Sequence, residues 1–157
     1  MQNLVYIDEC GIEFNISRDK GWGKKGKKLI GKKSGKHYAR TNVVAGYLNG
    51  KAVAPMVFNG TCNTELFESW TEQFLIKELI AGQYVVMDNA SFHKSQKTKD
   101  LIESVGCKII FLPPYSPDLN PIEKFWANMK KWLKTHMHNF KHILQALDAY
   151  YSTPNSS

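Results

Sequence analysis

Cysteine is scarce in this 157-residue chain: there are three, Cys10, Cys62 and Cys107, far apart and in no C-x-x-C pair. Such a set builds neither a disulfide framework nor a zinc ribbon, so the three read as reduced, partly buried thiols. Long apolar runs are also missing. None approaches the roughly 20 residues that span a bilayer. The opening MQNLVYIDEC lacks the basic flank and long apolar stretch of a secretory signal. A cytoplasmic protein without a membrane partner is expected. Internal repeats and dividing linkers are absent too, and the length suits one compact domain with a real core. Acidic residues are outnumbered, with 14 Asp and Glu against 21 Lys and Arg, giving a net charge of +7.

That charge is concentrated. Residues 18–40, RDKGWGKKGKKLIGKKSGKHYAR, hold ten Lys or Arg against one Asp, a local net of +9 that leaves −2 for the remainder. A single basic segment points to a polyanionic partner. Glycines among its lysines argue for a loop. Trp22, Lys24, Lys25, Lys27, Lys28, Lys32, Lys33, Lys36 and Arg40 offer phosphate contacts and one aromatic platform. Binding through them would be largely sequence-independent and steeply salt-dependent. The plain alternative is a solvated loop.

Hydropathy patterning supplies the elements. NLVYID reads as a central strand, and IEFNIS, after a turn at Cys10-Gly11, as its antiparallel neighbour. YARTNVVAGYL and AVAPMVFNG flank the hairpin signal NGK. The period then changes: NTELFESWTEQFLIKELIAG predicts one helix, capped by Asn63 or Thr64, ended by Gly82, with Leu66, Trp70 and Phe74 on its apolar face. QYVVMDN and CKIIFLP predict buried strands. KSQKTKDLIESVG predicts a helix between them, capped by Ser95 and stopped by Gly106. NPIEKFWANMKKWLKTH predicts a helix with Ile122, Trp126, Met129 and Leu133 on one face, and FKHILQALDAYY a last one. The order implies an α/β fold over residues 1–152 with a mixed sheet, antiparallel first and parallel later. Residues 153–157 form a polar tail.

Most of the acids fall on helix faces or in turns, so two at the ends of apolar strands stand out: Asp8 closes NLVYID and Asp88 closes QYVVMD. Strand-end carboxylates on neighbouring strands meet in one cleft, and two or three such oxygen donors suit Mg²⁺ or Mn²⁺. Each has a structural alternative. Asp8 fits a turn cap, and Asp88 an Asx-turn. Glu123 falls three residues after Asn120 with Pro121 between, the glutamate position of a capping box. Glu9, next to Asp8, faces the other side of a strand and is left out of the site. His136, His138 and His142 are only a loose match to a metal site and read as surface histidines.

Taken together, YIDECG, VVMDNASFHKS and LPPYSPDLNPIEKFWANMKKWLK resemble, in order and spacing, the three signature blocks of the IS630/Tc1/mariner transposase family. The resemblance runs from residue 4 to about 134, with 34 residues between Asp88 and Glu123. It implies a ribonuclease H-like domain whose catalytic and metal-binding triad is Asp8, Asp88 and Glu123. It also implies DNA cleavage and strand transfer at transposon ends with two Mg²⁺ or Mn²⁺ ions. Two such ions about 3.5–4 Å apart activate the attacking oxygen and relieve charge on the leaving one. Asn89 and His93 could reach a scissile phosphate, or else stabilise a turn and pack at a helix start. Tyr115 and Ser116 could contact the DNA backbone.

The expected partners are terminal inverted repeats and target DNA, with a homodimer in the synaptic complex. In a bacterium this places the chain at the nucleoid. Family members carry a helix-turn-helix region before the catalytic domain. Only seven residues precede Asp8, so that reader is expected to be absent, or supplied as a separate N-terminal DNA-binding polypeptide. A non-catalytic DNA-binding remnant of a transposase is the alternative reading, and another ribonuclease H-like nuclease a third.

Overall fold

The computed structural model describes residues 3–12, 41–113 and 120–152. Period-two alternation shapes its centre. In β1 (Leu4–Ile12), Val5 and Ile7 pack into one apolar cluster, and Cys10 and Ile12 into another on the opposite face. The strand does not turn at Cys10-Gly11, as the sequence suggested. Alternation carries through exposed Gly11 to buried Ile12, and the antiparallel neighbour of β1 is β2 (Thr41–Leu48) rather than IEFNIS. Residues 13–40 lie outside the described part, and with them the whole basic segment.

β2 enters β3 (Lys51–Asn59) through Asn49 and Gly50, with φ of 52° and 85°. Two consecutive positive φ values are the hairpin turn that Asn-Gly favours. The β2–β3 register shifts between Val44 and Gly46, where β3 carries one extra residue and Ala54 has a φ of 53°.

The next segment begins as expected. α1 (Thr64–Trp70) is capped by Asn63, whose Oδ1 accepts the Leu66 N–H at 2.8 Å. It then passes through a π-helical segment, Thr71–Leu75, and a last α turn, Ile76–Glu78. The wider π turn inserts one residue, which rotates everything after it. Leu75 is therefore buried, while Phe74, expected inside, is 42% exposed. The helix stops at Glu78 because Leu79 is extended, and Gly82 takes up the following turn with a φ of 98°.

β4 (Tyr84–Met87) lies parallel to β1. α2 (Gln96–Ser104), with Ser95 Oγ accepting the Thr98 N–H at 3.1 Å, leads to β5 (Lys108–Phe111), parallel to β4. β5 forms the sheet edge and leaves Ile110 and Phe111 about two-fifths exposed, where a buried strand was expected. α3 (Ile122–His136) and α4 (Ile143–Ser152) follow.

The sheet order is β3-β2-β1-β4-β5, with its first three strands antiparallel and its last three parallel, as the sequence implied. Helices cover both faces. Phe67, Trp70, Leu75 and Ile102 pack on the Val5, Ile7, Val85 and Met87 face. Ile122, Phe125, Met129, Leu133 and Leu147 pack on the Cys10, Ile12, Val43 and Ala45 face. Each such fully buried side chain stabilises the fold by roughly 1.5–3 kcal/mol.

Candidate active site

The topology sets the site. β1 and β4 are adjacent and parallel, with Tyr6 opposite Val86. The same offset, carried on by two residues, sets Asp8, in the middle of β1, level with Asp88, just beyond the end of β4. α3 packs across the β1 face that carries Cys10 and Ile12, which is also the Asp8 face. Glu123 lies in its first turn. There Asn120 Oδ1 accepts the Ile122 N–H at 3.1 Å, and the Asn120 carbonyl accepts the Glu123 N–H at 3.2 Å. Asn120 thus caps the helix, and Pro121 has the helical φ of −65°.

The Glu123 side chain hydrogen-bonds to the Asp8 carboxyl. Burial pushes the Asp8 carboxyl up to about 8, helped by that bond to Glu123 and by the nearby charge of Glu9. Burial also pushes the Cys10 thiol up, and Lys130 of α3 works against that rise. Lys130 follows Glu123 by seven residues, two turns along the same helix face.

Asp88 is held differently. Its side chain is half exposed, and its Oδ1 accepts the Ala90 N–H at 2.9 Å, closing an Asx-turn. The same Oδ1 lies 2.9 Å from His93 Nδ1, which is also 3.2 Å from the Asp88 carbonyl oxygen. His93 Nε2 lies 2.9 Å from Glu9 Oε2. The imidazole is fully buried in the 3₁₀ turn Ser91–His93, against the rings of Phe67 and Phe92 at 4.6 and 4.5 Å. Burial opposes a charged ring there, but the bonds to Asp88 and Glu9 outweigh it and push His93 up to about 10. In return the His93 bond holds the Asp88 carboxyl below its ordinary value, against its partial burial and with the Ala90 N–H assisting.

Asp8 and Glu123 are thus brought together, while the described bonds of Asp88 run to His93 and Ala90. Among the described residues no group of three His, Cys, Asp or Glu side chains is gathered as a cation site. Asn89 is exposed beside Asp88. His93, expected to reach a phosphate, has both ring nitrogens engaged by carboxylates and no exposed surface. His136 stacks on Trp132 at 4.3 Å. Trp22, Lys24, Lys25, Lys27, Lys28, Lys32, Lys33, Lys36, Arg40, Tyr115 and Ser116 lie outside the described residues. Sequence reasoning left out Glu9. It does face away from Asp8, but it reaches the site through a histidine on the other face, and the only signal was the closeness of His93 to Asp88.

The comparison with known families is decisive. Residues 3–145 match the DDE superfamily endonuclease family. The chain belongs to that family. A curated relative, protein y4pE/y4sA of Sinorhizobium fredii, is 34% identical over 58 residues, covering 36% of this chain and 41% of its own. The chain thus spans less than half the length of that relative. Among solved structures this endonuclease-family chain is similar to the Mos1 transposase catalytic domain with Raltegravir and Mg. The TM-score is 0.63 at 15% identity, over 99% of this chain and 73% of that one. The Mos1 transposase paired-end complex with the left transposon end gives 0.63 at 15%, over 99% and 49%. The catalytic core domain of BIV integrase gives 0.57 at 13%, over 94% and 80%. The fold is therefore the ribonuclease H-like one of transposase and integrase catalytic domains, as the sequence implied. Among the described residues no helix is long and apolar enough to cross a membrane.

Proposed function

We propose that this chain is a transposase catalytic domain that cleaves DNA at transposon ends and transfers the strand, using Mg²⁺ or Mn²⁺ held by Asp8, Asp88 and Glu123. The observation that carries the reading is the partly buried Asp8 carboxyl beside Glu123, level with Asp88 just beyond the next parallel strand. A partly buried Asp8 carboxylate beside the Glu123 side chain is costly to ionise, and among the described residues no cationic side chain is bonded to it. The hard oxygen donors of the two fit Mg²⁺ or Mn²⁺, and a divalent ion would offset that cost. Two such ions, when bound, supply an activated oxygen nucleophile and charge relief at the phosphate.

The chain's own residues do the rest. β1 and the capped start of α3 fix Asp8 and Glu123 on one face. Asp88 presents a half-exposed carboxylate from just beyond the end of β4. In this reading exposed Asn89 hydrogen-bonds a DNA phosphate, and Tyr115 and Ser116 contact the DNA backbone. The basic segment with Trp22, Lys24, Lys25, Lys27, Lys28, Lys32, Lys33, Lys36 and Arg40 attracts the duplex by charge. Residues 1–152 act as one catalytic domain. Two copies meet in a synaptic complex on terminal inverted repeats and target DNA.

The test is nicking of supercoiled plasmid by the purified chain in Mn²⁺, beside Asp88→Asn. The wild type is expected to nick, and the variant to lose cleavage by at least about a hundredfold while still melting cooperatively. Cleavage retained by Asp88→Asn refutes the proposal. DNA binding indifferent to Mn²⁺, with no nicking by either protein, favours a non-catalytic DNA-binding remnant.

A further inference from the structure

We propose that Glu9 and His93 are positioning residues for Asp88: a buried imidazole, anchored to β1 by Glu9, grips one oxygen of the Asp88 carboxylate and leaves the other for a cation. The inference rests on the reading of Asp88 as a cation ligand.

Asp88 lies just beyond the end of β4, with its side chain half exposed, so sheet hydrogen bonds do not fix its orientation. Both described bonds to its carboxylate, from Ala90 N–H and His93 Nδ1, land on Oδ1. Oδ2 has no partner among the described residues. A carboxylate bonded in this way has lost its rotational freedom but kept a donor oxygen.

His93 can hold Asp88 only if it is itself held. Two aromatic rings fix the plane of its ring, and Glu9 fixes its far nitrogen at 2.9 Å. Both ring nitrogens face carboxylate oxygens, so both N–H groups donate. Glu9 is the direct neighbour of Asp8 in β1. One strand therefore sets two carboxylates of the site, Asp8 directly and Asp88 through Glu9 and His93. Groups that orient a metal ligand from behind carry much of a site's affinity, and losing one commonly weakens binding about 10–100-fold.

Mn²⁺ affinity of the full chain, measured by calorimetry with a short DNA duplex present, tests this. Wild type is compared with Glu9→Ala, Glu9→Gln, Asp88→Asn and the double variant Glu9→Ala/Asp88→Asn, and all are checked for cooperative melting. Glu9→Ala is expected to weaken Mn²⁺ binding about tenfold. Glu9→Gln, which keeps an acceptor oxygen, is expected to recover part of that loss. In the Asp88→Asn background Glu9→Ala should have no further effect, because the tether then has nothing to hold. Equal effects of Glu9→Ala in both backgrounds mean that it acts generally on the fold, and overturn the proposal. Loss of affinity in Asp88→Asn with none in Glu9→Ala overturns the tether alone. Unchanged affinity in Asp88→Asn, or no Mn²⁺ uptake by wild type, overturns the ligand reading and the tether with it.

Discussion

Replacing Asp8 by asparagine is expected to make the metal-free protein more stable at pH 8. The Asp8 carboxyl is raised from its ordinary 3.8 to about 8 by burial and by Glu123. Between those values the folded chain holds a proton that the unfolded chain has released, so stability falls as pH rises from about 4 to about 8. At 1.36 kcal/mol per pH unit, the penalty at pH 8 has a ceiling of about 5–6 kcal/mol. Relaxation of the pair and water penetration reduce what is felt, and about 1–2 kcal/mol is expected. Asparagine keeps the shape and removes the titration. In a chain of this size that gain corresponds to a rise in melting temperature of about 3–8 °C. The assay is a series of thermal melts in EDTA at pH 4, 5, 6, 7 and 8. The advantage of Asp8→Asn should be largest at pH 8 and vanish near pH 4. Adding Mn²⁺ should reverse the order, since a ligand at a hundred times its dissociation constant stabilises by about 2.7 kcal/mol. A variant less stable than wild type in EDTA at pH 8, or a gap independent of pH, refutes the reasoning.

Two further outcomes concern the scaffold. Trp70 is fully buried and its Nε1–H donates to the Ala54 carbonyl at 2.8 Å, so Trp70→Phe should destabilise by about 2–4 kcal/mol in urea unfolding. Gly106 has a φ of 84°, and an added Cβ would lie 2.8 Å from Ala81 Cβ. Gly106→Ala should accordingly cost about 1–3 kcal/mol without altering Mn²⁺ affinity.

How far the sequence reveals this molecule depends on which forces act locally. The Asn63 and Ser95 caps, the Asn49-Gly50 turn and the α3 core face follow from short-range chemistry, and were legible. Asp88 was legible because an acid ending an apolar strand is conspicuous; Asp8 stood out for the same reason, although its strand runs on to Ile12. The π turn at Thr71–Leu75 was not, since a helix with one extra residue has no composition signal, and so Phe74 was taken for Leu75. β1 was cut short because a glycine in a strand looks like a turn until its partner strand is known. Parity along β1 told which way Glu9 points. It could not tell that the turn after β4 would bring His93 there, because that contact joins residues 84 positions apart.

The bulge at Ala54 has a consequence of its own. Its N–H donates to Glu78 Oε1 at 3.2 Å and its carbonyl accepts from Trp70, so both main-chain groups are engaged by the helical segment that follows rather than by β2. A slip of β3 by one residue would have to break both bonds and turn every side chain of the strand to the opposite face. The helical layer thus acts as a latch on strand registry. Local opening of the β2–β3 ribbon should be coupled to release of α1, and amide exchange should show the two protected to the same degree, as one cooperative unit.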